Sequence, residues 1–166
     1  TGKLMGLRTG DPREFTNIEQ FKEALKKQII HAYDQIRIGY NLMQSIHMNR
    51  YPVIFASMVT AGCVESGKSV QQGGARVSTC GMYVTGAANL ADCIAAVEKC
   101  VFEDGDVTMD ELIAACDANF EGYERLRQLL LNKLEKYGND SPHVDSIYRE
   151  MMHYVADEVQ SWPDAR

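Results

Sequence analysis

Gly62-Cys63-Val64-Glu65-Ser66-Gly67-Lys68-Ser69 satisfies the phosphate-loop pattern G-x-x-x-x-G-K-[ST] letter for letter, and whether it is one decides the fold. A true phosphate loop leads into a helix whose positive end faces the anion, while its lysine reaches the phosphate as a point charge. Here Lys68 is followed by Ser69-Val70-Gln71-Gln72-Gly73-Gly74. Each glycine costs a helix about 1 kcal/mol relative to alanine, so the pair leaves no room for the required helix. No apolar strand ending in Asp follows to hold magnesium. The stretch reads as a surface turn, and a stand-alone nucleotide-binding or helical interaction module using residues 62–69 is the second choice.

Outward from this turn the chain is mostly helical in pattern. Residues 53–62 are apolar, with a short helix expected around 56–63. Downstream, Arg76-Val77-Ser78-Thr79-Cys80 alternates and carries β-branched residues, which predicts a strand. Upstream, residues 4–15 contain Gly6, Gly10 and Pro12 and read as an extended opening loop. Thr16-Asn17-Ile18-Glu19 fits a capping box. It opens a long helix with Phe21, Leu25, Ile29, Ala32, Ile36, Tyr40, Met43 and Ile46 on one stripe, ending before Tyr51-Pro52 and open to a kink at Gly39. Further helices are expected over 87–101, from the Thr108-Met109-Asp110-Glu111 capping box to 117, over 123–132, and from Asp140 or Ser141 with Pro142 in the first turn. One strand cannot make a sheet. It must pair with residues outside the chain, or the domain is all-helical.

The 166 residues carry a formal charge of -6, with 45% hydrophobic and 24% charged residues, the balance of a folded globular chain. Bulk attraction to nucleic acid or to an anionic membrane is excluded. Apolar runs such as 53–56 and 129–131 fall far short of the ~20 residues that span a bilayer, and Thr1-Gly2-Lys3-Leu4-Met5 has no signal-peptide pattern, so a soluble protein is expected. The five cysteines, at 63, 80, 93, 100 and 116, have neither CxxC nor zinc spacing. They read as small buried apolar residues in a reducing compartment. No metal site is expected. A calcium-loop likeness around Gly105, Val107 and Glu111 fails because its first and third positions would be Cys100 and Phe102, which offer no oxygen. His31, His47, His143 and His153 form no HExxH, and no GxSxG marks a nucleophile.

As an ordered string, Thr9-Gly10-Asp11-Pro12, Gly62-Cys63-Val64-Glu65-x-Gly67-Lys68, Gly73-Gly74-Ala75-Arg76, Gly86-Ala87-Ala88-Asn89-x-Ala91-Asp92, Val101-Phe102-Glu103 and Tyr137-Gly138-Asn139-Asp140 resemble the glycyl radical enzymes related to pyruvate formate-lyase and glycerol dehydratase. The blocks run in the family's order from Thr9 to about residue 145. The resemblance implies an α/β fold class, this chain being a mostly helical segment, with one or two strands, of a β/α barrel several times longer. Residues 1–166 would be an internal part of that single barrel domain.

In such enzymes a glycyl radical, installed by a separate S-adenosylmethionine radical activating enzyme, oxidises a cysteine to a thiyl that abstracts hydrogen from substrate. The resemblance places this chain between those two carriers, so no catalytic residue and no bound cofactor is expected in it, and the isolated chain is expected to be inactive. It further implies an anaerobic, cytoplasmic lyase cleaving a C–C or C–heteroatom bond. The expected partners are the remainder of the barrel, the activating enzyme and a second copy in a homodimer, with no nucleic acid and no membrane. Many relatives follow Gly-Gly-Ala-Lys/Arg with Tyr-Asn, whereas this chain has Val77-Ser78. The pocket candidates are therefore Arg76, Val77 and Ser78, with Phe55 and Ser57, and the exchange would make a pocket there roomier and less polar.

Overall fold

The computed structural model of the chain describes residues 5–78 and 84–163. Among them there are seven α-helices and no strand: α1 (Ile18–Arg50), α2 (Ile54–Val59), α3 (Cys63–Ser66), α4 (Ala87–Val97), α5 (Met109–Asp117), α6 (Glu124–Asn132) and α7 (Pro142–Gln160). Short 3-10 turns lie at Pro12–Glu14 and Val70–Gln72, and a π-helical stretch, Glu98–Glu103, continues α4. The chain divides into two compact units, Thr1–His31 with Val84–Val159, and Ala32–Tyr83 with Gln160–Arg166.

The first unit has an apolar core. Ala91, Ile94 and Ala95 recur at three and four along α4, and Val144, Ile147 and Met151 do the same along α7, so each helix offers one stripe. The stripes pack together with Ile18, Leu25 and Ile29 of α1 against them. Burial of a side chain such as Ile94 or Ile147 stabilises by roughly 1.5–3 kcal/mol. Lys22 crosses from α1 to α7 beside this core and is only 7% exposed. Its Nζ lies 3.1 Å from Glu150 Oε2 and 3.2 Å from Glu19 Oε1, and Lys26 Nζ lies 2.9 Å from Glu150 Oε1. Burial alone would raise the Glu150 carboxyl, but hydrogen bonds from Lys26 and Lys22 outweigh it and hold the group below its usual value.

Side-chain caps fix the ends of these helices. Thr108 Oγ1 accepts from the Glu111 amide at 3.2 Å, and Glu111 Oε2 accepts from the Thr108 amide at 2.9 Å, as the sequence predicts. At α1 the box sits one residue later than expected. Asn17 Oδ1 accepts from the Gln20 amide at 3.0 Å, while Gln20 Oε1 accepts from the Thr16 amide at 2.9 Å. Ser141 is buried at the start of α7, accepts from the Val144 amide, and donates to Glu135. The opening segment is held by Gln28, which accepts from the Leu7 amide at 3.2 Å and donates to the Leu7 carbonyl at 2.7 Å and to Thr9 Oγ1 at 3.0 Å. Arg13 Nε donates to Asp110 Oδ1 at 2.6 Å and ties the same segment to α5.

The second unit is organised by backbone rather than by a core. It contains α1 beyond His31, α2, α3 and the glycine-rich turn. α1 runs unbroken through Gly39, because one interior glycine costs only about 1 kcal/mol in a helix of this length. The Arg37 guanidinium pairs with Asp34 at 2.6 Å and lies 5.5 Å from the Trp162 ring centroid. The strand expected from Arg76 is not formed over its described part. Arg76 and Val77 sit in a bend, Ser78 is irregular, and Thr79 and Cys80 lie outside the described residues. β-propensity expresses itself against neighbouring strands, and the described residues supply none.

Candidate functional site

The turn that carries the 62–76 motifs is a crossing of two backbone segments. Arg76 donates its amide to the Ala61 carbonyl at 2.8 Å, and Gly74 donates to the Ser69 carbonyl at 2.9 Å. A Cβ at Gly62 would lie 2.6 Å from the Arg76 nitrogen and 2.8 Å from the Gly74 carbonyl oxygen, and Gly62 also has φ +99°. A Cβ at Gly74 would lie 2.1 Å from the Lys68 carbonyl oxygen. Only glycine lets the segments approach this closely. Ser66 Oγ reaches the Gly74 carbonyl at 3.3 Å, and Ser69 and Gln72 cap the following 3-10 turn reciprocally.

These bonds take up amides that a phosphate would need. The amides of Gly62, Cys63, Ser66, Gly67 and Ser69 are donated to Glu65 Oε2, Thr60 O, Gly62 O, Val64 O and Gln72 Oε1. Residues 63–66, which would have to stay open as a cradle, are wound into α3. After Lys68 comes only a three-residue 3-10 turn. The nucleotide-binding reading is therefore disfavoured by the spent amides, the wound cradle and the missing helix. The calcium-loop likeness fails in a parallel way. Cys100 and Phe102 lie within the π-helical stretch, and Glu111 accepts from the Thr108 amide and hydroxyl, which holds its carboxyl below the usual range.

Of the five pocket candidates, Phe55 is 85% exposed and Val77 80% exposed, and Arg76 and Ser78 are also exposed. Ser57 is buried. Its hydroxyl donates to the Val53 carbonyl at 2.6 Å and accepts from the Val70 amide at 3.1 Å, tying α2 to the turn. It borders a shallow apolar depression of about 240 Å³ with Ile54, Met58, Cys63, Val64 and Lys68. Met58, beside the glycine turn, belongs to no motif of the sequence yet lines this depression, as does Val64. The first unit has a larger open cleft, about 1000 Å³, lined by Val107, Glu111, Tyr123, Arg125, Leu129 and Lys133 among others. No pocket candidate lies in it.

Among the described residues no three His, Cys, Asp or Glu side chains come close enough to hold a metal ion. Cys63 and Cys100 are buried as expected, but Cys93 and Cys116 are exposed, because α4 and α5 turn those positions away from the core. Burial, then Asp106 and Asp104, push the Cys100 thiol up, which disfavours its thiolate. No helix among the described residues is long and apolar enough to cross a membrane.

Comparison with known proteins adds a consistent set of relatives. A family model described as pyruvate formate lyase-like matches residues 1–166. Trans-4-hydroxy-L-proline dehydratase of Clostridioides difficile is 37% identical over 161 residues, which are 97% of this chain and 20% of that protein. The crystal structure of the C. difficile hydroxyproline dehydratase with trans-4-hydroxy-L-proline bound superposes with a TM-score of 0.90, covering 96% of this chain and 20% of that one. The glycerol-bound B12-independent glycerol dehydratase of Clostridium butyricum, 31% identical, also gives 0.90 over 98% of this chain and 21% of its own. A glycyl radical enzyme from Archaeoglobus fulgidus, 29% identical, gives 0.86 over 99% and 21%. The chain thus spans about one fifth of the length of the relatives it matches.

Proposed function

From the premise that this chain belongs to the pyruvate formate lyase-like family over its whole length, we propose that it forms part of a glycyl radical lyase and contributes barrel wall and pocket lining to it. The observation that carries this reading is the superposition on hydroxyproline dehydratase at a TM-score of 0.90 with 37% identity. The reaction is cleavage of a carbon–heteroatom bond in a small organic substrate, after hydrogen abstraction by a thiyl. Relatives named as dehydratases and as an isethionate sulfite-lyase support this choice over C–C cleavage. The thiyl cysteine and the radical glycine belong to the remaining polypeptide, as does the contact with an activating enzyme. A homodimer in an anaerobic cytoplasm completes the reading.

This chain's part in the chemistry is to shape the pocket and exclude water. Arg76 and Val77 leave the glycine crossing in a bend and Ser78 follows, all three with exposed side chains, and the backbone bonds at 61–76 fix where they start. Phe55 adds an apolar face from α2, and Ser57 holds α2 on the turn. Val77 favours a bulkier or more apolar substrate than a phenol at that position would. The test is the complete reading frame, treated anaerobically with a radical S-adenosylmethionine activating enzyme and assayed by EPR and by turnover of hydroxylated substrates. An organic radical signal with elimination of the heteroatom group is expected, and Val77→Tyr should lower kcat/KM for bulky substrates more than for small ones. A reading frame lacking either the cysteine loop or the glycine motif would overturn the proposal.

A further inference from the structure

α2 starts without a cap of its own. Its first residue is Ile54, and Val53 before it has no side chain that could accept a hydrogen bond. In a capping box the amide of the N-cap residue is taken by a Glu or Gln three positions further on. That position is Ala56, which has no acceptor to offer. The acceptor comes instead from Gln71, 18 residues along the chain, whose Oε1 takes the Val53 amide at 3.2 Å. The Val53 carbonyl accepts from the Ser57 amide at 3.0 Å and from its hydroxyl at 2.6 Å, which closes the first turn.

Gln71 is the middle residue of the 3-10 turn Val70–Gln72, and its two neighbours grip as well. The Val70 amide donates to Ser57 Oγ at 3.1 Å, and Gln72 Nε2 donates to the Met48 carbonyl at 3.3 Å. Three successive residues thus hold the end of α1, the start of α2 and the body of α2. Apolar packing contributes little to this placement, because Ile54, Phe55, Met58 and Val59 are between 64% and 86% exposed. Hydrogen bonds from the turn are left to set where α2 begins. Beyond Gln72 the same turn passes through the Gly74 crossing and on to Arg76 and Val77. We infer that Gln71 is a positioning residue for substrate selection: by capping α2 from the turn that carries Val77, it fixes the separation of Phe55 and Val77, and so the size of substrate that the complete enzyme prefers. The inference rests on the reading that these two residues line the pocket of a longer lyase.

The experiment uses the complete enzyme, activated anaerobically, with rates expressed per radical counted by EPR. Gln71→Met keeps the length of the side chain and removes the acceptor, whereas Gln71→Glu keeps the acceptor. Gln71→Met should shrink the ratio of kcat/KM for a bulky over a small hydroxylated substrate by about 10-fold, in KM more than in kcat, as a displaced pocket wall does. Gln71→Glu should stay close to wild type. Hydrogen exchange resolved to single residues by mass spectrometry should show a slowed Val53 amide in wild type and in Gln71→Glu, and a fast one in Gln71→Met. If Gln71→Met carries no radical, Gln71→Asn, whose acceptor falls one methylene short, replaces it with the same expectations. A Val53 amide that exchanges at the unprotected rate in the wild-type enzyme overturns the inference without any variant. An unchanged ratio in Gln71→Met, where Phe55→Ala and Val77→Tyr change it, overturns the inference and leaves the pocket reading standing. A Gln71→Glu enzyme as disturbed as Gln71→Met also overturns it. If Phe55→Ala and Val77→Tyr leave the ratio unmoved, the pocket reading falls and the inference with it.

Discussion

The two units solve the problem of staying folded in different ways. The first packs Ala91, Ile94 and Ala95 of α4 against Val144, Ile147 and Met151 of α7 and seals the edge with Lys22 and Glu150. The second buries Cys63, Ser57 and Gly74 among its described residues, and it leaves Ile54, Phe55, Met58 and Val59 mostly exposed. Its order comes from backbone crossings that tolerate no side chain. A unit of the first kind is damaged by removing volume, one of the second kind by adding it.

That contrast can be broken most sharply at Gly74. Gly74→Ala places a Cβ against the Lys68 carbonyl, a backbone atom that cannot swing aside. It should cost about 3–5 kcal/mol, read as protease cleavage within 61–76 and an early transition in urea. If the variant is tolerated, side chains hold this unit after all. In the first unit, Ile94→Ala should cost about 3 kcal/mol through its cavity, measured by urea unfolding, with the 61–76 cleavage pattern unchanged. Spread of the damage to that pattern would mean the units are not separable.

Smaller effects test the polar edges. Glu150→Gln leaves Lys22 buried beside a neutral group and should cost about 1–2 kcal/mol near pH 7, less than a fully buried pair because Glu150 is 36% exposed. Since the folded carboxyl is held below its ordinary value of 4.5, its contribution is present above that pH and is lost as pH falls through the folded value. The gap between wild type and variant should therefore close below pH 4.5 in a denaturation series. Thr108→Ala removes a cap and should cost about 1 kcal/mol, by the same measurement. Lys68→Ala should change nothing in nucleotide binding, and millimolar ATP should leave the melting temperature of either protein unmoved, since a bound ligand would raise it.

Local chemistry made much of the helical pattern legible. The Thr108 box, Pro142 after Ser141 and the stop before Tyr51-Pro52 are each decided within four residues, and each stands where it was expected. The Thr16 box slipped by one residue because Gln20 takes the Thr16 amide that Glu19 was expected to take, while Asn17 caps the Gln20 amide. The helix expected over 87–101 passes into a π-helical stretch after Val97, closed by a bond from the Asp104 amide to the Lys99 carbonyl at 2.9 Å, which no propensity encodes. A strand at Arg76 needed neighbours that the described residues do not contain. Lys22 was unreadable as a buried cation because its partner Glu150 lies 128 residues away. The pocket candidates came from motif order, and Ser57 turned out to have a bonded hydroxyl because the Val53 carbonyl and Val70 amide converge on it only after folding.

The grip of Gln28 on the opening segment has a consequence for how this chain meets its own kind. A side-chain amide presents one donor and one acceptor much as a peptide unit does, so at Leu7 it stands in for a neighbouring strand. Both main-chain groups of Leu7 are answered by a helix, so that residue offers neither to another extended chain. One side chain reaching back from α1 thus closes a position that backbone pairing would otherwise leave open.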